Sequence, residues 1–127
     1  IMKQLKAGQT ELNVVNDKMG TPTYTFDFAA NVRSLLDAQY WGLYNVVCEG
    51  ATSRLEVAHE MIEVLGLRDK VRINEVGSDF FKKEFFAPRP DCESLINRKL
   101  ALRNLNKMRD WRVALREYLG SAYSSFL

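Results

Sequence analysis

One run, Val14-Val15-Asn16-Asp17-Lys18-Met19-Gly20-Thr21-Pro22-Thr23-Tyr24-Thr25-Phe26-Asp27-Phe28-Ala29, does most to narrow what this chain can fold into. Leu12 to Val15 is short and apolar, as a buried strand requires, and the Gly20-Thr21-Pro22-Thr23 turn breaks it. Thr25 is then placed to cap a helix through its hydroxyl, and Asp27 lies in the first turn, where the positive end of the helix dipole favours an anion. Phe28, Ala29, Val32, Leu35 and Leu36 follow at helical spacing, which predicts a face turned to a core.

The alternation continues. Leu43 to Val47 reads as a second strand closed by Glu49-Gly50. Ser53-Arg54-Leu55-Glu56 has the form of a capping box, with Leu55, Ala58, Ile62 and Leu65 as the apolar face of its helix and Gly66-Leu67 as a left-handed stop. Val71 to Val76 reads as a third strand. Strand, helix, strand, helix, strand predicts an α/β unit with parallel pairing through crossover connections. Ile1 to Ala7 reads as the last turns of a helix stopped at Gly8; its start would lie upstream, so the chain reads as cut from something longer. Beyond Gly77, Pro88 and Pro90 forbid helix or central strand. Short helices are expected over Asn97 to Leu105 and over Asp110 to Leu119. Asp110 is expected to cap the second, with Trp111, Ala114, Leu115, Tyr118 and Leu119 on one face, Gly120 as its end and a tail from Ser121.

A chain of 127 residues with 46% hydrophobic content supports one core and is short for two domains. Its 18 basic and 16 acidic residues are interspersed, so neither nucleic-acid binding nor a polyanion site is expected, and Arg98 to Arg116 reads as a solvated helix face. No apolar run approaches the roughly 20 residues of a membrane span, and no secretion signal is seen. Two cysteines, Cys48 and Cys92, without metal-ligand spacing, fit a reducing cytoplasm. His59, the single histidine, lies beside its helix's apolar face, and a structural role is expected. The Phe80-Phe81 and Phe85-Phe86 pairs are expected to pack on a core or a neighbouring domain. Arg89, between two prolines, has a restricted backbone that would aim a planar guanidinium at a phosphate or, equally, into a structural ion pair.

The run from Val14 resembles a Val-Val-x-Asp-x-x-Gly-Ser-Pro-Thr-Tyr-x-x-Asp-Leu-Ala stretch in the carboxy-terminal half of the dTDP-4-dehydrorhamnose reductase branch of the extended short-chain dehydrogenase/reductases. Four further elements keep that family's order. Gly42-Leu43-Tyr44-Asn45-Val46 is similar to its Gly-x-Tyr-His-x strand and Ser53 to Ala58 to its Ser-Trp-x-Glu-Phe-Ala helix start. Ala87, Arg89, Pro90, Leu95, Asn97, Lys99 and Leu100 keep the register of its Ala-x-Arg-Pro loop and the following Ser-x-Leu-x-Asn-x-Lys-Leu. Trp111 to Leu119 is similar to its closing Trp-x-x-Ala-Leu-x-x-Tyr-Leu helix. Thr21 stands for the usual Ser, Arg54 for Trp and Ile96 for Asp.

The resemblance implies that residues 1–127 are a single carboxy-terminal substrate-binding domain with an α/β fold, a small, mostly parallel sheet with packed helices, separated from the Rossmann half of a reductase. That half would bind NAD(P)H and reduce the C4 ketone of a dTDP-4-keto-6-deoxy sugar. Arg89 would face the diphosphate, while Gly20, Thr21, Thr23 and Tyr24 would line the cleft between the halves. The partners implied are the nucleotide sugar and the Rossmann half, with homodimerisation left open. This chain carries no glycine-rich phosphate turn, its closest glycines being Gly42 and Gly50, and no tyrosine with a lysine four residues on. Neither a catalytic, a cofactor-binding nor a metal residue is therefore expected within it, and it should be inactive alone. Nucleotide-sugar epimerases and dehydratases, and the regulatory subunit of methionine adenosyltransferase, share much of this half and remain alternatives.

Overall fold

The computed structural model describes residues 1–81 and 90–123. Five α-helices, α1 (Met2–Lys6), α2 (Thr25–Asp37), α3 (Arg54–Val64), α4 (Arg98–Leu102) and α5 (Trp111–Ala122), accompany four strands, β1 (Glu11–Val15), β2 (Met19–Gly20), β3 (Thr52–Ser53) and β4 (Arg72–Val76). β1 and β4 pair in parallel from Glu11 opposite Arg72 to Val15 opposite Val76. β2 and β3 form a separate two-residue antiparallel pair. The fold is thus α/β with a small parallel sheet.

α3 forms where the capping box predicts. The Glu56 amide donates to Ser53 Oγ and the Ser53 amide to Glu56 Oε2, both at 3.1 Å. The stop is a Schellman motif. Gly66, at φ 64°, lets its own amide reach the Glu63 carbonyl and the Leu67 amide reach that of Ile62. Between these ends Ala58, Ile62 and Leu65 are buried with Leu5 of α1 and with Leu12 and Val14 of β1. Val57, near the start of α3, packs on a second core of Cys48, Met108, Trp111 and Ala114, which belongs mainly to α5 and its approach. Arg116 of α5 pairs with Glu60 of α3 at 2.7 Å.

Four expectations are corrected. Thr25 is the first helical residue of α2, and Tyr24, packed on the second core, takes the N-cap position without a side-chain cap bond. The predicted apolar face of α2 is largely uncovered, with Phe28 and Leu36 about half exposed, and Asn31 is the buried residue of the helix. Asp27 and Asn31, one turn apart, fix this orientation: Asp27 holds Arg109 and Asn31 Oδ1 accepts the Lys107 amide at 2.9 Å. Residues 43–47 form no strand, because no neighbouring strand lies beside them among the described residues. The Asn97 side chain instead accepts the Val47 amide at 3.0 Å and donates to the Val47 carbonyl at 2.7 Å. Among the described residues the parallel sheet thus has two strands, β1 and β4, where the sequence predicted three.

Finally, the carboxy-terminal helices differ in length from expectation. α4 ends at Leu102, closed through left-handed Asn104 (φ 54°). α5 runs through Gly120 to Ala122, so neither that glycine nor Ser121 ends it. A helix-interior glycine costs only about 1 kcal/mol, and fully buried Leu119 holds the preceding turn. Asp110 does cap α5, accepting the Arg112 amide at 2.8 Å. Phe85, Phe86 and residues 87–89 lie outside the described residues.

Ser53→Ala should lower stability by about 1 kcal/mol, read as a fall in urea midpoint without a change in slope. The Thr52 hydroxyl and then the Ser53 amide hold the Glu56 carboxyl below its usual range. Its contribution is present above the unfolded-chain value and is lost as pH falls through the lowered one. Glu56→Gln should therefore lower stability at neutral pH, with the difference from the parent shrinking in acid.

Candidate functional site

β1 and β4 end side by side, and the residues that follow them gather around Asp17, Lys18 and Met19. Ligands of open α/β folds bind outside the carboxyl ends of parallel strands, which makes this end the natural candidate. The Asp17 carboxylate accepts both the Ser78 amide, at 2.9 Å, and the Ser78 hydroxyl, at 2.8 Å. Those two bonds, the amide first, hold its carboxyl below the usual range. Lys18 Nζ lies 2.7 Å from Asp91 Oδ1, and that bond raises the lysine's affinity for its proton. The Met19 amide donates to the Asp91 carbonyl at 2.8 Å, and the Glu93 amide to the Met19 carbonyl at 2.9 Å.

The turn predicted to line a cleft follows directly. Gly20 belongs to β2 opposite Thr52, and a β-carbon there would meet no atom of the described residues. Thr21 is half-buried, and its carbonyl accepts the Thr23 hydroxyl at 3.3 Å. The Thr23 oxygen in turn accepts the Cys48 amide at 3.3 Å. The Tyr24 ring lies 5.3 Å from that of Phe26 and 6.0 Å, edge-on, from that of Tyr118. Gly20, Thr21, Thr23 and Tyr24 are therefore brought together as one rim. Within it Thr23 and Tyr24 also tie the rim to the second core. Arg89 lies outside the described residues.

Sequence reasoning passed over two polar centres, at Asn97 and at Arg109. Asn97, almost wholly buried, gathers Val47, Glu49 and Asn106, and Glu49 Oε1 also accepts Asn106 Nδ2 at 2.7 Å. Arg109 makes a bidentate contact with Asp27 and a further bond to Glu117. These bonds raise the guanidinium pKa, the Asp27 contact most. The available signals were the Asp27/Asn31 spacing and the amide at position 97. Gly50 completes the join: at φ 89° it brings the backbone so close to Trp111 that a β-carbon would stand 3.0 Å from Cδ1.

An open depression of about 440 Å³ lies against Glu49, Asn97, Ile96 and Leu102, and none of Gly20, Thr21, Thr23 or Tyr24 lines it. A smaller one, about 300 Å³, includes exposed His59 with Glu63 and Arg68. Among the described residues no group of three or more His, Cys, Asp or Glu could hold a metal ion, and no helix is long and apolar enough to cross a membrane.

The two cysteines report on this region from opposite sides. Burial pushes the Cys48 thiol up, whereas Cys92, exposed and bridged to Met19, is held below the ordinary thiol value, chiefly by the Ser94 amide. Iodoacetamide should therefore alkylate Cys92 and spare Cys48 in the folded chain, with both modified in denaturant, as read by peptide mass. Thr23→Val should cost about 1 kcal/mol by leaving the Cys48 amide unmatched, and Thr23→Ser should restore it.

Residues 1–124 match the RmlD substrate binding domain. A dTDP-4-dehydrorhamnose reductase of Mycobacterium tuberculosis is 35% identical over 126 residues, covering 98% of this chain and 40% of that protein. The spore coat polysaccharide biosynthesis protein SpsK of Bacillus subtilis is 35% identical over 118 residues, 93% of this chain and 40% of its own length. The crystal structure of a dTDP-4-dehydrorhamnose reductase from Clostridium acetobutylicum superposes with a TM-score of 0.87 at 30% identity, over 95% of this chain and 42% of that one. A Bacillus anthracis dTDP-4-dehydrorhamnose reductase in complex with NADP gives 0.84 at 26%, over 94% and 41%. The chain thus spans about two-fifths of the length of these relatives. With its parallel pair, its Gly-Thr-Pro-Thr rim and a match over nearly every residue, the chain belongs to the RmlD substrate-binding domain family.

Proposed function

We propose that residues 1–127 are the substrate-binding portion of an NAD(P)H-dependent reductase acting on a dTDP-4-keto-6-deoxy sugar, inactive on their own. The match over residues 1–124 carries this reading, supported by relatives that share the whole of this fold within proteins more than twice as long. In the complete protein the remaining portion supplies the reduced nicotinamide and a proton donor. The nicotinamide, when bound there, would supply hydride for the sugar C4 carbonyl carbon, and the proton donor would supply the proton for its oxygen. This portion binds and orients. Arg89 is suited to pair with two diphosphate oxygens at once, and the rim from Gly20 to Tyr24 offers the sugar or nucleotide the Thr21 hydroxyl and backbone groups.

The same reading accounts for the uncovered face of α2. Phe26, Phe28 and Leu36 of that helix are 72%, 44% and 53% exposed, large apolar side chains that a partner surface would cover. The remainder of the longer protein is the occupant proposed for this face. Residues 43–47, left without a neighbouring strand, would find one there.

In the complete protein, Arg89→Ala should weaken nucleotide-sugar binding by about 1.5–3 kcal/mol in calorimetric titration while leaving NAD(P)H affinity alone. Unchanged sugar affinity would refute the clamp. The isolated chain should show no reductase turnover with either coenzyme. Phe26→Lys and Leu36→Lys should leave the unfolding free energy of the isolated chain within about 0.5 kcal/mol of the parent, because both side chains are exposed. In the complete protein the same changes should lower the unfolding temperature. Equal effects in both contexts would argue that the α2 face meets solvent throughout.

A further inference from the structure

We propose that Arg109 is a positioning residue for the nucleotide sugar: by tying α2 to the segment before α5, it sets where Thr23 and Tyr24 stand in the rim. This rests on the rim reading above. The contacts close on themselves. Arg109 holds Asp27 of α2 with a fork, Nε at 3.0 Å from Oδ2 and Nη2 at 2.6 Å from Oδ1. The Arg109 carbonyl accepts the Glu49 amide at 2.8 Å, and the Trp111 amide donates to the Glu49 carbonyl at 3.0 Å. Cys48, the residue before Glu49, donates its amide to Thr23 Oγ1 at 3.3 Å. From Thr23 the chain passes through Tyr24 into the first turn of α2 and so back to Asp27, with the Tyr24 carbonyl accepting the Phe28 amide at 3.0 Å. Tyr24 therefore lies on a closed circuit of bonds, and it packs on the cluster of Cys48, Met108, Trp111 and Ala114 that borders the same contacts.

Of the three hydrogen-bonded joints in this circuit, the fork is the charged one and the one made between two side chains. The Asp27 side chain is 10% exposed and that of Arg109 37%, so the joint is partly sheltered from water. A bidentate contact fixes the angle between its partners as well as their distance. That angle matters here because Tyr24 occupies the N-cap of α2 without a side-chain cap bond, which leaves the fork, one turn further on, to set how the chain enters the helix. Groups held in place before a ligand arrives lose less freedom on binding, so the fork acts on affinity. The guanidinium also bonds Glu117 of α5, but that carboxylate lies outside the circuit and its side chain is about half exposed. The two acidic partners of one arginine should therefore differ: Asp27 governs the rim and Glu117 does not.

The experiment measures reduction of a dTDP-4-keto-6-deoxy sugar by the complete protein. Arg109→Met and Asp27→Asn should each raise the KM for the sugar about three- to thirty-fold with kcat and the NAD(P)H KM little changed, and the double variant should be no worse than the poorer single one. Arg109→Lys keeps the charge without the fork and should recover little of the loss. Glu117→Gln should keep the parent KM. Ile62→Val, in the first core, isolates the effect of lowered stability, and should reduce the unfolding temperature at an unchanged KM. A parent KM in Arg109→Met, independent losses in Arg109→Met and Asp27→Asn, or an equal rise in Ile62→Val would each overturn the positioning role. Thr21→Val tests the rim itself. A raised KM there beside a parent KM in Arg109→Met would remove the positioning role alone, whereas a parent KM in Thr21→Val would remove the rim reading and this inference with it. Hydrogen exchange reads the circuit without any substrate: in Arg109→Met the Cys48 amide should exchange several-fold faster while the amides of β1 keep their parent rates. Unchanged exchange at Cys48 would overturn the tie.

Discussion

Helix α3 is the element on which the remaining structure rests, because it touches both cores. Its Ala58, Ile62 and Leu65 close over β1 and α1, and Val57 reaches the cluster around Trp111. Ala58 is fully buried, so the helix sits as close to the sheet as a methyl group allows. A larger side chain there would force α3 away from β1, with a cost of about 1–3 kcal/mol typical of overpacked cores. The capping box and the Schellman stop fix the two ends of the helix, and the Arg116 to Glu60 pair fixes α5 beside it. Everything on the rim side is hung from this frame.

Beside the apolar packing of Tyr24 on the second core, polar joints hold the neighbouring chain. Asn97 does for Val47 what a neighbouring strand would do, satisfying both backbone groups with one amide. Arg109 draws Asp27 of α2 and Glu117 of α5 to a single guanidinium, whose planar geometry suits a bidentate contact. After β1, Asp17 holds Ser78 and Lys18 holds Asp91. Directional bonds of this kind set angles and separations, which a binding surface needs, while the two cores supply the stability that ordering requires.

How far the sequence could be read follows from which signals are local. The capping residues of α3 and α5, the glycine stop at Gly66 and the parallel relation of β1 and β4 were legible because each depends on residues a few positions apart or on alternation along the chain. The strand expected over 43–47 was not, since a strand exists only beside a partner. The α2 face misled for the same reason: Phe28 and Leu36 at helical spacing say which side seeks cover, not whether cover is at hand. Asp27 and Asn31 decided the orientation instead, through partners more than seventy positions away.

By itself, then, the sequence determined the local elements, the order of α and β, and, through five motifs in register, the resemblance that the match over residues 1–124 bears out. Only the tertiary structure decided which polar side chains meet. The Asp17 to Ser78, Lys18 to Asp91, Asn97 to Val47 and Arg109 to Asp27 contacts each join residues fifty or more positions apart. No periodicity encodes such a pairing, because it depends on where several independently specified elements come to lie once the apolar cores have closed.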